Sequence, residues 1–142
     1  MSRTSSRNVG FLLAKASQRF NERLVADFAA RGFPEVRASY GSVLVPLMEA
    51  GPSRLGEIAA RARLSKQSMT GLVKQCEDAG LVVRERDPAD GRAYRLSLTE
   101  RGRAFQAEAE ATLAGLDAEL LARLGPRRRD ALIEALEEVM QL

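Results

Sequence analysis

Apolar side chains recur every three or four residues along most of the chain, which is the spacing of a helix with one buried face. The first such stretch predicts a helix from Val9 to Ala30, ended by Gly32 and Pro34. The next predicts a helix over residues 36–49. Pro46 lies inside this stretch, so a kink or an earlier end at the proline is also compatible with the pattern.

Two short helical stretches follow, separated by a break near residues 62–64. The first covers about residues 55–61. The second begins after Ser65, whose hydroxyl can accept hydrogen bonds from the N–H groups of the first turn, and ends at Gly80, which suits a left-handed C-terminal cap. Two short helices joined by a tight turn form a helix-turn-helix.

The pattern then changes to that of strands at residues 81–86 and 93–98, joined by the turn-forming sequence DPADGR. A helix-turn-helix followed directly by a hairpin is a winged helix. After Thr99, a good N-cap, helical spacing resumes to about residue 124, and a last helix follows Gly125. The predicted fold is therefore mainly α with a small β-hairpin wing, in which a winged helix-turn-helix is flanked by N- and C-terminal helices.

The predicted helix that follows Ser65 has two contrasting faces. Its apolar face carries Met69, Leu72, Val73 and Cys76. Its outer face has no carboxylate until Glu77, whereas an ordinary solvated helix mixes both signs of charge. This favours contact with a polyanion over a merely soluble surface. The outer residues are short, polar or basic: Lys66, Gln67, Ser68, Thr70, Gly71 and Lys74.

Composition narrows the possible functions. The 142 residues fit one domain or one domain with helical arms, and they include no histidine and one cysteine. Zinc sites, disulfide frameworks and imidazole-based catalysis are therefore not expected, and we predict no enzyme, no catalytic or metal-binding residues and no cofactor. No apolar run is long enough for a membrane span and the N-terminus lacks the pattern of a signal peptide, so we expect a cytoplasmic protein.

Charge is distributed unevenly along the chain. The whole chain has a net charge of +3, but residues 53–103 carry +4 and residues 104–142 carry −4. This asymmetry indicates that the middle of the chain meets a polyanion while the C-terminal arm has another role. The C-terminal helices also carry more apolar surface than a small winged helix can cover, so they require the N-terminal helix or a second chain.

The order of elements and the string LGEIAARARLSKQSMTGLVKQCEDAGLVVRERDPADGRAYRLSLTERG resemble the MarR family of bacterial transcription regulators. The most specific part is Asp87-Pro88-x-Asp90-x-Arg92 followed by LSLTERG, and the resemblance covers nearly the whole chain. It implies a homodimer that binds palindromic double-stranded DNA. The implied segments are an N-terminal dimerisation helix at 1–35, a winged helix-turn-helix DNA-binding lobe at 36–103 and C-terminal dimerisation helices at 104–142.

The resemblance also implies which residues meet DNA. Those facing DNA from the second helix would be Ser65, Lys66, Gln67, Ser68, Thr70 and Lys74, with Gly71 allowing close approach to the backbone. Arg92 would be the wing-tip arginine that enters the minor groove. From the residues themselves, Asp90, two positions before Arg92, can orient it by a charge-assisted hydrogen bond. Independently, a lysine suits guanine edges and a glutamine suits adenine edges. Which side chain contacts a base is left open.

Three further features of the sequence each allow a functional and a purely structural interpretation. Cys76 stands where the family resemblance leads us to expect leucine, and its apolar surroundings favour an inert packing role over oxidant sensing. The sequence GPRRRD at 125–130 is better explained as the start of the last helix than as a phosphate site. The family resemblance implies release from DNA by a small aromatic or phenolic effector, but Phe11, Arg19, Tyr40 and Phe105 are equally well explained as core or surface.

The leading hypothesis is a sequence-specific DNA-binding repressor. The alternative is a winged-helix protein-interaction module whose basic face is incidental. The two differ in salt dependence, because each phosphate contact steepens the fall of binding with salt by about 0.9 in log-log slope.

Overall fold

The computed structural model describes residues 7–142 and has the predicted order of elements. Its chain forms two compact units whose boundary falls within the fifth helix, after Glu108. A mainly helical chain with one hairpin is confirmed. The elements are α1 (Val9–Ala30), a 3-10 turn (Ala38–Tyr40), α2 (Gly41–Ala50), α3 (Leu55–Ala62), α4 (Lys66–Asp78), β1 (Val82–Asp87), β2 (Asp90–Leu98), α5 (Glu100–Leu124) and α6 (Pro126–Val139).

The second predicted helix begins later than its periodicity indicated. Residues 36 and 37 precede the 3-10 turn, and α2 starts only at Gly41. Phe33 and Val36 are both buried in this segment, so packing into the core overrides the local helical spacing. Pro46 lies inside α2, which continues to Ala50, so the alternative of an earlier end at the proline is wrong.

The first unit has a core where α2, α3 and α4 meet the base of the hairpin. Leu44, Ile58, Met69 and Leu81 are almost fully buried there. Complete burial of such a side chain is worth about 1.5–3 kcal/mol relative to its exposed state. These contacts hold α4 in place with its polar face outward.

The hairpin pairs β1 and β2 antiparallel, with Val82 opposite Leu98. Both strands extend further toward the turn than predicted, so only Pro88 and Ala89 form the turn. At the base, the backbone of Ser53 exchanges two hydrogen bonds with that of Leu96, of 3.0 and 2.7 Å. The segment before α3 is thereby attached to β2.

The start of α5 is joined to the end of α4. The Thr99 hydroxyl accepts the N–H of Gly102 at 3.0 Å, which confirms Thr99 as the N-cap, and donates to the carbonyl of Gly80 at 2.6 Å. The structure also confirms the predicted left-handed glycine after α4, because Gly80 has a φ of +77°.

An aromatic cluster lies at the C-terminal end of α1. The ring of Phe105 is 4.8 Å from that of Phe28 and 5.2 Å from that of Phe33, in edge-on arrangements. The guanidinium of Arg101 stands 4.4 Å from the centre of the Phe33 ring and donates to the Glu35 carboxylate at 2.6 Å. The first turns of α5 are therefore attached to the segment after α1.

The second unit, residues 109–142, consists of the rest of α5 and α6. Gly125 precedes Pro126, the first residue of α6, so GPRRRD begins a helix as predicted. Arg129 binds Asp117 through two guanidinium nitrogens at 2.8 and 3.0 Å. Among residues 7–142, no helix combines the length and the apolar character that crossing a membrane requires. Several apolar side chains of this unit are exposed: Leu113, Leu121, Leu132, Ile133, Leu136 and Val139.

Candidate nucleic-acid interface

The outer face of α4 is exposed as the sequence predicted. Ser65 accepts the N–H of Ser68 at 3.1 Å, which confirms it as the N-cap and fixes the start of the helix. The Thr70 hydroxyl donates to the Lys66 carbonyl at 2.7 Å, which leaves its lone pairs free to accept. The residues predicted to lie on this face are all exposed: Ser65, Lys66, Gln67, Ser68, Thr70, Gly71 and Lys74.

The two lysines of α4 differ in their surroundings. Lys74 pairs with Asp78 at 3.6 Å, whereas Lys66 has no carboxylate partner within residues 7–142. Part of the Lys66 side chain lies over Gly56, where a Cβ would be 3.4 Å from its Cε. The unpaired charge therefore stands at the N-terminal end of α4, where the helix dipole adds to the positive potential.

The wing corrects one prediction about Asp90. Its Oδ1 accepts the backbone N–H of Arg92 at 3.0 Å, and it does not bind the guanidinium. A short aspartate side chain reaches the N–H two residues further on more readily than a long, mobile guanidinium. Asp90 therefore shapes the backbone. Arg92 lies within β2, three residues beyond the turn, and its exposed side chain has no carboxylate partner in the described chain.

Arg84 and Arg86 are additional wing cations that the sequence analysis did not single out. Arg86 donates to the carbonyl of Gly91 at 2.7 Å and stands 5.9 Å from the centre of the Tyr94 ring. Arg84 donates to Glu77 of α4 at 3.0 Å. The pairing of Arg86 with Tyr94 follows from strand register, which the sequence left undetermined.

The first carboxylate of the turn motif, Asp87, is held at both oxygens. One accepts the N–H of Ala89 and the other accepts Nε of Arg54, each at 2.8 Å. The backbone bond from Ala89, followed by the bond from Arg54, holds the pKa of Asp87 below its ordinary value. Asp87 is therefore a charged group that joins the turn to the residue before α3.

Cys76 is fully buried on the inner face of α4. Desolvation, with a smaller effect of the neighbouring Glu77, raises the pKa of its thiol to about 12. Because the thiolate is the reactive form, burial makes this cysteine inert. The structure supports the packing interpretation.

A shallow groove of about 590 Å³ runs along α1. None of the four residues considered for an effector lines it: Tyr40 and Phe105 are buried in the core, and Phe11 and Arg19 are exposed elsewhere on α1. The residues that line it are Gln18, Asn21, Glu22, Val25, Ala26, Ala29 and Ala38.

Comparison with known proteins agrees with this geometry. Residues 38–93 match the model of the MarR family. The HTH-type transcriptional repressor Rv2887 of Mycobacterium tuberculosis is 34% identical, in an alignment that covers 75% of this chain and 91% of that protein.

Among solved structures, the transcriptional repressor CouR bound to a 23-mer DNA duplex is 30% identical, with a TM-score of 0.78 over 98% of this chain and 99% of that one. CouR bound to p-coumaroyl-CoA is 27% identical, with a TM-score of 0.82 over 99% and 96% of the two chains. A probable transcriptional regulator from Pseudomonas aeruginosa is 25% identical, with a TM-score of 0.79 over 94% and 98%.

Proposed function

The chain belongs to the MarR family of DNA-binding transcription regulators, which are not enzymes, and we propose that it is a homodimeric, cytoplasmic repressor of a palindromic operator. The observation that carries this proposal is the position of two exposed cations without carboxylate partners in residues 7–142: Lys66 lies on the outer face of α4 and Arg92 lies on β2 of the wing. Unpaired cations on α4, the second helix of the helix-turn-helix, and on the wing can bind the phosphates and the groove edges of a DNA duplex.

In this proposal the outer face of α4 enters the major groove. Lys66 and Gln67 offer donors to base edges, and Gly71, with open space around it, lets the backbone of DNA approach. The contacts to phosphates or bases come from Ser65, Lys66, Gln67, Ser68, Thr70 and Lys74. Arg92 enters the minor groove, and Asp90 fixes the backbone from which it projects.

The proposed dimer would use segment 1–35 together with segment 104–142, and residues 36–103 would form the DNA-binding lobe. Residues 1–6 of the first segment lie outside the described part of the chain. The exposed apolar side chains of α6, among them Leu132, Ile133 and Leu136, support a partner for that helix. A two-fold dimer would place its recognition helices in successive major grooves, about 10 base pairs apart.

Release by a small aromatic or phenolic effector is also part of the proposal. CouR is a repressor known both with DNA and with p-coumaroyl-CoA. The groove along α1 offers an apolar surface that includes Val25, Ala26 and Ala29. An acyl or aromatic group is the chemistry that such a surface would accept.

Fluorescence anisotropy tests the proposal. A labelled duplex from upstream of the protein's own gene is titrated with wild-type protein, Arg92→Ala and Arg128→Ala at two salt concentrations. In parallel, the wild-type protein is used to select the duplexes that it binds from a pool of random sequences. Arg128 is the matched control because it is an exposed arginine on α6 with no carboxylate partner among the described residues. We expect Arg92→Ala to weaken binding and Arg128→Ala to leave it unchanged.

The salt dependence separates the two candidate functions. A regulator that contacts phosphates should lose affinity steeply with salt, by about 0.9 in log-log slope for each contact. If the wild-type protein enriches no sequence from the pool and both variants bind alike, the protein-interaction alternative replaces this proposal.

A further inference from the structure

One ion pair joins the start of the helix-turn-helix to the far end of the wing. Arg54, the residue before α3, donates from Nε to Oδ2 of Asp87, the last residue of β1, at 2.8 Å. The side chain of Asp87 is only 14% exposed, compared with 45% for that of Arg54. The acidic partner therefore lies in a fixed, partly buried position, and the contact links the helix-turn-helix to the wing, the two parts of the lobe that meet DNA in the proposed function.

The backbone of Arg54 is itself held on two sides. The Glu57 carboxylate in the first turn of α3 accepts the Arg54 N–H at 3.0 Å. The preceding residue, Ser53, exchanges its two backbone hydrogen bonds with Leu96 of β2. The Arg54 side chain therefore starts from a point that is fixed relative to both α3 and the base of the wing.

Asp87 stands at a comparable point of the wing. The register of the hairpin shifts between Arg86 and Asp87, just before the turn. One Asp87 oxygen holds the turn through the Ala89 N–H, and the other holds Arg54. A two-stranded hairpin alone is marginally stable. The direction of its far end therefore depends on contacts of this kind with the rest of the lobe.

We infer that Arg54 is a positioning residue for DNA binding: through Asp87 it sets the angle of the wing relative to α3 and α4, and hence the place where Arg92 meets the duplex. This inference rests on the proposed function. Arg92 lies on β2 only five residues beyond Asp87, and Asp90 fixes its backbone. A shift of the turn would therefore move Arg92 relative to α4.

Because Asp87 is negatively charged, the inference can be tested by whether its replacement raises or lowers the affinity for DNA. A carboxylate near a surface that meets phosphates repels them, so its removal alone should strengthen binding. If Asp87 acts by holding Arg54, its removal should weaken binding instead. Asp87→Asn keeps the size of the side chain and an oxygen for the Ala89 N–H, and removes the charge that Arg54 binds.

The experiment uses the full chain and a fluorescein-labelled duplex of about 30 base pairs, selected by the wild-type protein from a random pool and long enough for two half-sites. The variants are Arg54→Ala, Arg54→Lys, Asp87→Asn, Arg92→Ala, the double variant Arg54→Ala/Asp87→Asn, and Arg54→Ala combined with Arg92→Ala. We expect Arg54→Ala and Asp87→Asn each to weaken binding by about tenfold, as contacting residues that act together do.

Four further results are expected. Arg54→Ala/Asp87→Asn binds DNA no more weakly than Arg54→Ala or Asp87→Asn alone. Arg54→Lys recovers part of the affinity that Arg54→Ala loses. With Arg92 already replaced, Arg54→Ala has little further effect. In the free protein, hydrogen exchange of the Ala89 amide is faster in Arg54→Ala, while that of the buried residues of α4 is unchanged. This exchange readout shows directly whether the variant is folded and whether the wing has loosened.

The outcomes separate two failures. If Arg92→Ala weakens binding but Asp87→Asn binds as tightly as wild type or more tightly, the inference fails and the proposed function stands. A fall of about 0.9 in the salt slope of Arg54→Ala, without any loss in Asp87→Asn, would make Arg54 a direct phosphate contact and would also overturn the inference. If the wild-type protein selects no duplex, the proposed function fails, and the inference fails with it.

Discussion

The carbonyl oxygen of Leu81 lies so close to Gly102 that a Cβ on Gly102 would stand 2.2 Å from it. Such a separation is far below any van der Waals contact. The first turn of α5 can therefore cross the chain before β1 only because residue 102 has no side chain. The same turn is held by Thr99, whose hydroxyl joins α5 to Gly80.

We predict that Gly102→Ala destabilises the protein. Overpacking of a filled site costs about 1–3 kcal/mol, and here the neighbouring atom belongs to the backbone and cannot rotate away. Gly115→Ala is the matched control, because Gly115 is also in α5 and a Cβ there would meet nothing within 4 Å. That change should stabilise by about 0.5–1 kcal/mol through helix propensity. Urea denaturation of both variants measures the difference, and equal stabilities would contradict this account of Gly102.

Thr99→Val should also weaken the junction. Valine keeps the branched shape but removes the hydroxyl that accepts from Gly102 and donates to Gly80. Loss of an N-cap costs about 1 kcal/mol. Thr99→Ser, which keeps the hydroxyl, should retain most of the stability in the same denaturation experiment. A Thr99→Val protein as stable as wild type would show that this cap contributes little.

Local signals were sufficient for many of the boundaries predicted from the sequence. Val9–Ala30 follows from uninterrupted periodicity, and the start of α4 follows from the Ser65 hydroxyl, because these determinants lie within a few residues of each other. The start of α2 was wrong because Phe33 and Val36 are buried in non-helical backbone. No local pattern contains that tertiary packing.

In the candidate site too, features set by nearby residues could be predicted from the sequence, and features set by tertiary contacts could not. The outward face of α4 follows from helical spacing, so the exposure of Lys66 and Gln67 could be predicted from the sequence. The partner of Asp87 could not, because Arg54 is 33 positions away and only the folded chain brings the two together. The sequence correctly predicted a hydrogen bond between Asp90 and Arg92 but placed it on the Arg92 guanidinium instead of the Arg92 backbone N–H. Which of these two groups Asp90 binds depends on the geometry of the turn.

Cys76 should react slowly with thiol reagents in the native protein. Its burial raises the thiol pKa to about 12, so almost no thiolate forms near pH 8, and the side chain is inaccessible. We expect labelling by a chromogenic disulfide reagent to be slow without denaturant and rapid in urea. Treatment with dilute peroxide should leave DNA binding intact. Rapid labelling of the native protein, or peroxide-sensitive binding, would restore the oxidant-sensing hypothesis.

The Glu35–Arg101 pair should make the free energy of unfolding depend on pH in the acidic range. The bond from Arg101 is the main cause that lowers the pKa of Glu35 below its ordinary value of 4.5. A carboxyl with a depressed folded pKa stabilises the protein above its unfolded pKa, and this contribution disappears as the pH falls through the folded pKa. Wild type should therefore be more stable than Glu35→Gln at pH 7, and the difference should shrink below pH 4.5. Urea midpoints across that range measure it; a difference independent of pH would exclude the ionised pair as its source.

The two lysines of α4 should contribute unequally to DNA binding. Lys74 must give up its contact with Asp78 before it can bind a phosphate, whereas Lys66 has no carboxylate partner in the described chain and lies at the positive end of the helix. Lys66→Ala should therefore weaken anisotropy-measured binding more than Lys74→Ala. If both lysines contact phosphates, each replacement lowers the salt slope by about 0.9. Asp78→Asn frees Lys74 and removes a negative charge, so it should strengthen binding at low salt. An equal loss for the two lysine variants, with no gain in Asp78→Asn, would show that the Lys74–Asp78 pair does not limit the contact of α4 with DNA.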